Sequence, residues 1–230
     1  MKKVILFDAY GTLFDVYSIG AALETLFPSK GAALALALRD TQISYTRLVT
    51  TSNGGVHYKP FDALTLAALK HVCAMATLDL SDAQAAQVMA QYEVLTPFPD
   101  ALDTLTALKA AGYTTGILSN GTPAMLTKVT QAAGLAAVLD HLLSVDTLSP
   151  PQYKTAPAAY RMGPLATDTA VEDIVFVSSN AWDALGATWF GYKTAWVNRT
   201  GAPFEALGAL TNTQPTYTVR QLADLKALLI

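Results

Sequence analysis

Asp8 is the residue on which chemistry would turn most readily. It follows the apolar run Val4 to Phe7 directly and precedes the turn residues Gly11 and Thr12. A carboxylate placed there can serve as a nucleophile or base, although an isolated aspartate after a strand more often shapes a turn or caps a helix. Other polar residues end later apolar runs: Ser119-Asn120, Asp146 and Ser178-Ser179-Asn180. Between them they offer hydroxyl, amide and carboxylate groups, as a site would require. His57, His71 and His141 show no pairing with a nucleophile and are given no catalytic role. Cys73 is the only cysteine, so neither an internal disulfide nor a thiolate metal cluster is available. Within its helical pattern it reads as a buried, inert thiol.

These residues need elements to position them. Val4 to Phe7 is a continuous apolar run, suited to a strand buried on both faces of a parallel sheet. From about Val16 to Gln91 the pattern is helical throughout, with Ala63, Leu66, Ala67, Lys70 and His71, then Ala85, Val88, Met89 and Tyr92, at helix spacing. After Pro97-Phe98-Pro99-Asp100 strands and helices alternate, as in parallel α/β units. Helices are predicted over 101–110, 123–133, 157–162 and 182–189, with a last one beginning near Arg220; strands are predicted over 113–118, 142–145, 174–177 and 193–197. Gly112 and Gly134 are the expected helix stops, and Pro123 suits a first helical turn. The expectation is an α/β fold with an open parallel sheet, formed by residues 1–15 and 96–230, and an inserted helical domain over 16–95. Ligands of such sheets sit at the carboxyl ends of the strands, where the polar residues named above fall.

Composition narrows the function classes. With 230 residues, 52% apolar and 14% charged, the chain is long enough to bury a substantial core. The net charge of −3 and the lack of any Lys/Arg block argue against nucleic acid or anionic lipid as a partner. The run after Met1-Lys2-Lys3 is too short for a signal peptide, and the apolar stretch from Gly31 to Leu38 is too short to span a bilayer. A cytoplasmic protein with no membrane partner is expected.

Four motifs in order carry a resemblance. The first is Phe7-Asp8-Ala9-Tyr10-Gly11-Thr12-Leu13-Phe14-Asp15, the second Ile117-Leu118-Ser119-Asn120-Gly121, the third Pro151-Gln152-Tyr153-Lys154, and the fourth Phe176-Val177-Ser178-Ser179-Asn180-Ala181-Trp182-Asp183. Together they resemble the haloacid dehalogenase superfamily over the whole chain. The resemblance implies a Rossmann-like sheet core with a helical cap, Asp8 as nucleophile, Thr12 as its orienting residue and Lys154 as the cation that balances the carboxylates. Most of that superfamily are magnesium-dependent phosphatases with a second aspartate two residues after the nucleophile, acting as general acid. This chain has Tyr10 there, a far weaker acid, and only Asp183 as a carboxylate in the fourth motif, a poor donor set for magnesium.

Those departures resemble the L-2-haloacid dehalogenases, since halide can leave unprotonated. By that resemblance Arg39 takes up the charge of the departing halide. Ser119, Asn120 and a backbone N–H near Ala9 and Tyr10 hold the substrate carboxylate. Tyr10, Phe61 and Trp182 wall the alkyl group, although Phe61 alone reads equally well as core packing. Ser178, Asn180 and Asp183 position Lys154 and the hydrolytic water, with Asp183 best placed to polarise that water, and Tyr160 serves orientation. Asp40 departs from the family pattern, which leaves that edge of the pocket undefined. The implied reaction converts small (S)-2-haloacids to (R)-2-hydroxy acids and halide through an ester on Asp8, with no cofactor and no metal, in a homodimer. Two other readings stand beside it: a magnesium-dependent small-molecule phosphatase of the same superfamily, and a member that binds without catalysis.

Overall fold

The computed structural model describes residues 2–230, so Met1 of the expected core segment lies outside them. Strand β1 (Lys3–Phe7) leads into α1 (Gly20–Leu26), α2 (Gly31–Thr51), α3 (Phe61–Met75), α4 (Asp82–Gln91) and α5 (Ala101–Ala110). Alternation then begins: β2 (Tyr113–Ser119), α6 (Pro123–Ala132), β3 (His141–Ser144), α7 (Pro157–Thr167), β4 (Ile174–Ser178), α8 (Ala181–Phe190), β5 (Lys193–Val197), α9 (Ala206–Leu210), β6 (Tyr217–Val219) and α10 (Asp224–Leu229). The six strands lie in the order β3-β2-β1-β4-β5-β6, and every pairing is parallel.

Burial on both faces explains the unbroken apolar runs of β1 and β4. Ile5 and Phe7 join one core layer, Val4 and Leu6 the other, as the two-residue period of a strand requires. Gly116 lies opposite Leu6 in the register, where a Cβ would come within 2.9 Å of both Leu6 and His141. The larger core layer runs without a break from the sheet (Ile5, Phe7) into the helical segment (Leu34, Leu38, Phe61, Leu69). The chain leaves and returns from that segment side by side, with Asp15 N–H donating to Thr96 O at 2.8 Å and Phe98 N–H to Leu13 O at 2.9 Å.

Local rules account for several boundaries. Ser81 and Gln84 form a reciprocal cap at the start of α4. Thr122 caps α6, with Pro123 in its first turn. Gly112 and Gly134 take positive φ, 84° and 69°, just past the helices they stop.

The structure also departs from the sequence expectations. In α3 the buried face is Phe61, Leu64, Thr65, Ala68, Leu69, Val72 and Cys73; Ala63, Ala67, Lys70 and His71 are exposed and Leu66 only half-buried. The helix is there but its inward face is displaced, because an alanine-rich helix has too little polarity contrast to fix its phase. The third strand ends at Ser144, since that side chain accepts a hydrogen bond from Asp146 N–H and turns the chain. α7 continues through Pro164 to Thr167. α10 starts at Asp224, whose carboxylate accepts from the N–H groups of Arg220 and Gln221 just before it. α9 and the three-residue β6 were not expected; neither is long enough to establish a period.

Candidate active site

β1 is central in the sheet, and its carboxyl end delivers Asp8 beside the end of β4: Asp8 N–H donates to Val177 O at 2.8 Å. A tight turn follows, in which Ala9 O accepts from the N–H groups of Thr12, Leu13 and Phe14. Gly11 supplies the positive φ of 93° that this turn requires. The turn brings Thr12 Oγ1 back to donate to Asp8 Oδ2 at 3.1 Å, while the same oxygen accepts from Ser179 N–H at 2.9 Å.

Asp8 is therefore held from three elements. Asn180 Nδ2, at the start of α8, donates to Oδ2 at 2.8 Å, and Lys154 Nζ donates to Oδ1 at 3.1 Å. Lys154 is 1% exposed and also donates to Asp183 Oδ2 at 3.0 Å. Its backbone N–H is fixed by Asn120 Oδ1 at 3.0 Å, and its ammonium lies 4.8 Å from the centre of the Phe176 ring. Behind it Asp183, fully buried, accepts from Tyr160 Oη at 2.7 Å through Oδ1. Burial pushes the Asp183 carboxyl up from its ordinary range, with the Asp8 charge adding to the effect and Lys154 and Tyr160 opposing it. Burial and the Asp183 charge push the Tyr160 hydroxyl well up, so it stays a donor.

Arg39 comes from α2. Its guanidinium donates to Tyr10 O at 2.9 Å, Asn180 Oδ1 at 3.2 Å and Gln42 Oε1 at 2.8 Å. The Asn180 amide thus joins the Asp8 carboxylate to the arginine. Tyr10 packs against Phe61 with ring centres 5.5 Å apart, and a Cβ on Gly121 would fall 2.7 Å from the Tyr10 ring. The Tyr10 hydroxyl is buried and has no hydrogen-bond partner among the described residues, and burial raises its pKa above the ordinary value. A clash-free apolar wall is what this side chain supplies; a ready proton it does not.

The remaining sequence candidates take distinct places. Ser119 is fully buried and its Oγ accepts from Gly121 N–H at 3.1 Å, leaving its own proton to turn toward a ligand. Ser178 Oγ accepts from Asn180 N–H at 3.1 Å; neither it nor Asn180 bonds Lys154. Asp183 alone of those three holds the lysine, and both its oxygens already have donors. Trp182 is half-buried, with Arg47 stacked 5.3 Å from its ring centre. Asp146 accepts from the Tyr58 hydroxyl at 2.8 Å, away from Asp8. Asp40 is exposed on α2; the residue facing inward near that edge is Gln42, fully buried.

Sequence reasoning missed Gln42, Ser179 as a structural clamp, and Arg199. Arg199 donates to Gly11 O at 3.2 Å and Thr12 O at 2.9 Å and lies 3.6 Å from the centre of the Phe98 ring. It stands just past β5, so the strand-end rule that picked out Asp8 also pointed to it. A cleft of about 410 Å³ opens here, lined by Arg39, Asn180, Trp196 and Arg199 among others. A second, of about 280 Å³, reaches Lys154 beside Arg47 and Gln152.

The donor set does not suit a divalent cation. Both oxygens of Asp8 and both of Asp183 are engaged by protein donors, and an ammonium stands between the two carboxylates. Among the described residues there is no cluster of three or more His, Cys, Asp or Glu side chains that could ligate a metal. Magnesium takes oxygen ligands that are free to turn toward it. No described helix is long and apolar enough to cross a membrane.

Known proteins resemble this chain over nearly its whole length. The (S)-2-haloacid dehalogenase of Pseudomonas sp. (strain YL) is 39% identical over 223 residues, 97% of this chain and 94% of that protein. The crystal structure of the L-2-haloacid dehalogenase RSc1362 superposes with a TM-score of 0.93 at 45% identity, covering 100% of this chain and 98% of that one. The L-2-haloacid dehalogenase of Xanthobacter autotrophicus, solved with chloropropionic acid covalently bound, gives a TM-score of 0.87 at 32% identity, again over 100% and 98% of the two chains. The family model for haloacid dehalogenase-like hydrolases matches residues 2–191, and the chain belongs to that family.

Proposed function

We propose that the protein hydrolyses small (S)-2-haloacids to (R)-2-hydroxy acids and halide, through a covalent ester on Asp8 and without a metal. The observation that carries this reading is the setting of Asp8. Its carboxylate is steadied by Lys154, Thr12 and Asn180, while the residue two positions on, Tyr10, presents a buried, unpartnered hydroxyl with a raised pKa. Such a site has a nucleophile but, two positions on, no acid to protonate the group that Asp8 displaces in the first step. Halide needs none.

In the first step an Asp8 carboxylate oxygen attacks Cα of the substrate from the side opposite the halogen; the C–O bond forms as the C–halogen bond breaks, and the carbon inverts. Orientation by the pocket is the main accelerating factor. Ser119, Asn120 and the backbone around Ala9 and Tyr10 hold the substrate carboxylate. Tyr10, Phe61 and Trp182 bound the alkyl group, and Arg39 receives the charge on the departing halide. In the second step water adds to the carbonyl carbon of the ester and the bond from that carbon to the substrate oxygen breaks; one water proton passes to that oxygen, the other is released to solvent, and the 2-hydroxy acid leaves with the Asp8 carboxylate restored. We assign Asp183 to holding Lys154, since its oxygens are already occupied, with Tyr160 fixing Asp183 and Ser178 fixing Asn180. The helical residues 16–95 act as a cap that brings Arg39 and Phe61 over a core of 1–15 and 96–230. The working form expected is a cytoplasmic homodimer.

The test is halide release from each enantiomer of 2-chloropropionate, with and without chelator. Release from the L-enantiomer alone, unchanged by EDTA, is expected. A requirement for a divalent ion, with cleavage of a phosphate monoester in place of halide release, would overturn the reading in favour of the phosphatase alternative.

A further inference from the structure

Lys154 and Arg39, two of the cations of the site, are treated differently. Lys154 is matched by two carboxylates, at 3.1 and 3.0 Å. Among the described residues no carboxylate comes within ion-pair distance of Arg39, which is nonetheless only 8% exposed. Its partners are all neutral: the carbonyl of Tyr10 and the amide oxygens of Asn180 and Gln42. A buried cation without counter-charge is costly unless an anion comes to it. On the reaction proposed above, on which this inference rests, that anion is the departing halide.

Gln42 is one helical turn beyond Arg39 on α2 and fully buried. Its Oε1 accepts from Arg39 Nη1 at 2.8 Å, and its Nε2 donates to Thr65 Oγ1 at 2.6 Å. Thr65 in turn donates to Phe61 O at 2.7 Å in the first turn of α3. This chain has a direction. The Phe61 carbonyl takes the Thr65 proton, which leaves Thr65 to accept from the glutamine N–H and obliges the glutamine oxygen to face the guanidinium. A flipped amide would set N–H against N–H. The same α3 turn carries the Phe61 ring onto Tyr10, so the arginine and the apolar wall are set by one element.

We propose that Gln42 is a positioning residue that aims Arg39 at the leaving halide while leaving its positive charge uncancelled. A carboxylate in the same place would reach Arg39 equally well and bond it more strongly, but would neutralise the charge that the halide needs. The neutral amide orients without competing.

Gln42→Glu is the sharpest test because it keeps size, reach and acceptor. Wild type and variant are compared for kcat/KM on L-2-chloropropionate and L-2-bromopropionate, and for inhibition by added bromide and iodide. The expected result is a loss of roughly 10- to 100-fold on the chloride substrate, a smaller loss on the bromide substrate because bromide leaves more easily, and weakened halide inhibition. Thr65→Val, which removes the partner that fixes the amide, should lower the chloride-to-bromide rate ratio in the same direction and serves if Gln42→Glu does not fold. A role in packing alone would alter the melting temperature and leave that ratio and the halide inhibition where wild type has them; that result in the folded variant overturns the proposal. Wild type that releases no halide would sink the dehalogenase reading itself, whereas active wild type with an unchanged ratio in the variants sinks only the role of Gln42.

Discussion

Tyr160→Phe removes one buried donor behind the site. The phenol donates to Asp183 Oδ1 at 2.7 Å and, with a longer contact, to Asp183 O at 3.2 Å; both residues are fully buried, and the substitution removes a single oxygen from an otherwise unchanged ring. A hydrogen bond to a charged partner contributes about 1.5–3 kcal/mol, so a loss near 2 kcal/mol is expected at neutral pH. For a chain of this size that corresponds to a melting temperature lower by roughly 4–8 °C. The loss should also depend on pH. Burial, the largest cause, raises the folded Asp183 carboxyl above its unfolded value, and the Tyr160 donor opposes the rise. The folded state therefore binds more protons than the unfolded chain from the ordinary aspartate range, about 4, up to the raised folded value. Across that window stability falls as pH rises. Removing the donor raises the folded value further, so the penalty grows through the window and is complete above it. Below it Asp183 is protonated in both proteins, and only a neutral hydrogen bond of about 1 kcal/mol is lost. Urea unfolding of the two proteins at about pH 4 and about pH 8 reads the difference. A penalty under about 0.5 kcal/mol, or one equal at both pH values, would refute the picture of an ionised Asp183 steadied by Tyr160.

Asp8→Asn should abolish halide release, by roughly 10⁴-fold or more, with an unchanged circular dichroism spectrum, because the amide fills the same space and Lys154 keeps Asp183. Gly186→Ala should destabilise by about 1–3 kcal/mol. Its Cβ would meet Thr155 Cγ2 at 2.7 Å and Tyr160 Oη at 2.8 Å, so kcat should fall with stability as the phenol is pushed off Asp183. Thermal melts and initial rates on one sample check both effects.

Much of the machinery was visible in the linear order. Asp8, Thr12, Ser119, Asn120, Lys154, Asn180 and Asp183 all lie in four short motifs, three of them at strand ends. Strand ends are legible because a run buried on both faces must be continuously apolar, so its first polar residue stands out. The helical character of 16–91 was legible as well, but the inward faces of its helices were not: Gln42 and Thr65 sit in stretches where alanine and threonine give little contrast between faces.

Local apolar period and turn chemistry were enough to read the order of strands and helices, apart from the short α9 and β6, and the chemical groups that stand at the strand ends. The pairings come from the folded chain: Lys154 with Asp8 across 146 positions, Asn180 with Asp8 across 172, and Arg39 with Tyr10 O and Asn180 from a separate helix. It also sets Lys154 between two carboxylates, whereas Arg39 meets none among the described residues. The reason is physical: a hydrogen bond or ion pair depends on distance and direction within a few ångströms, and those are set by the lateral order of the strands and the rotation of α2 about its axis. Neither leaves a mark on the residues themselves.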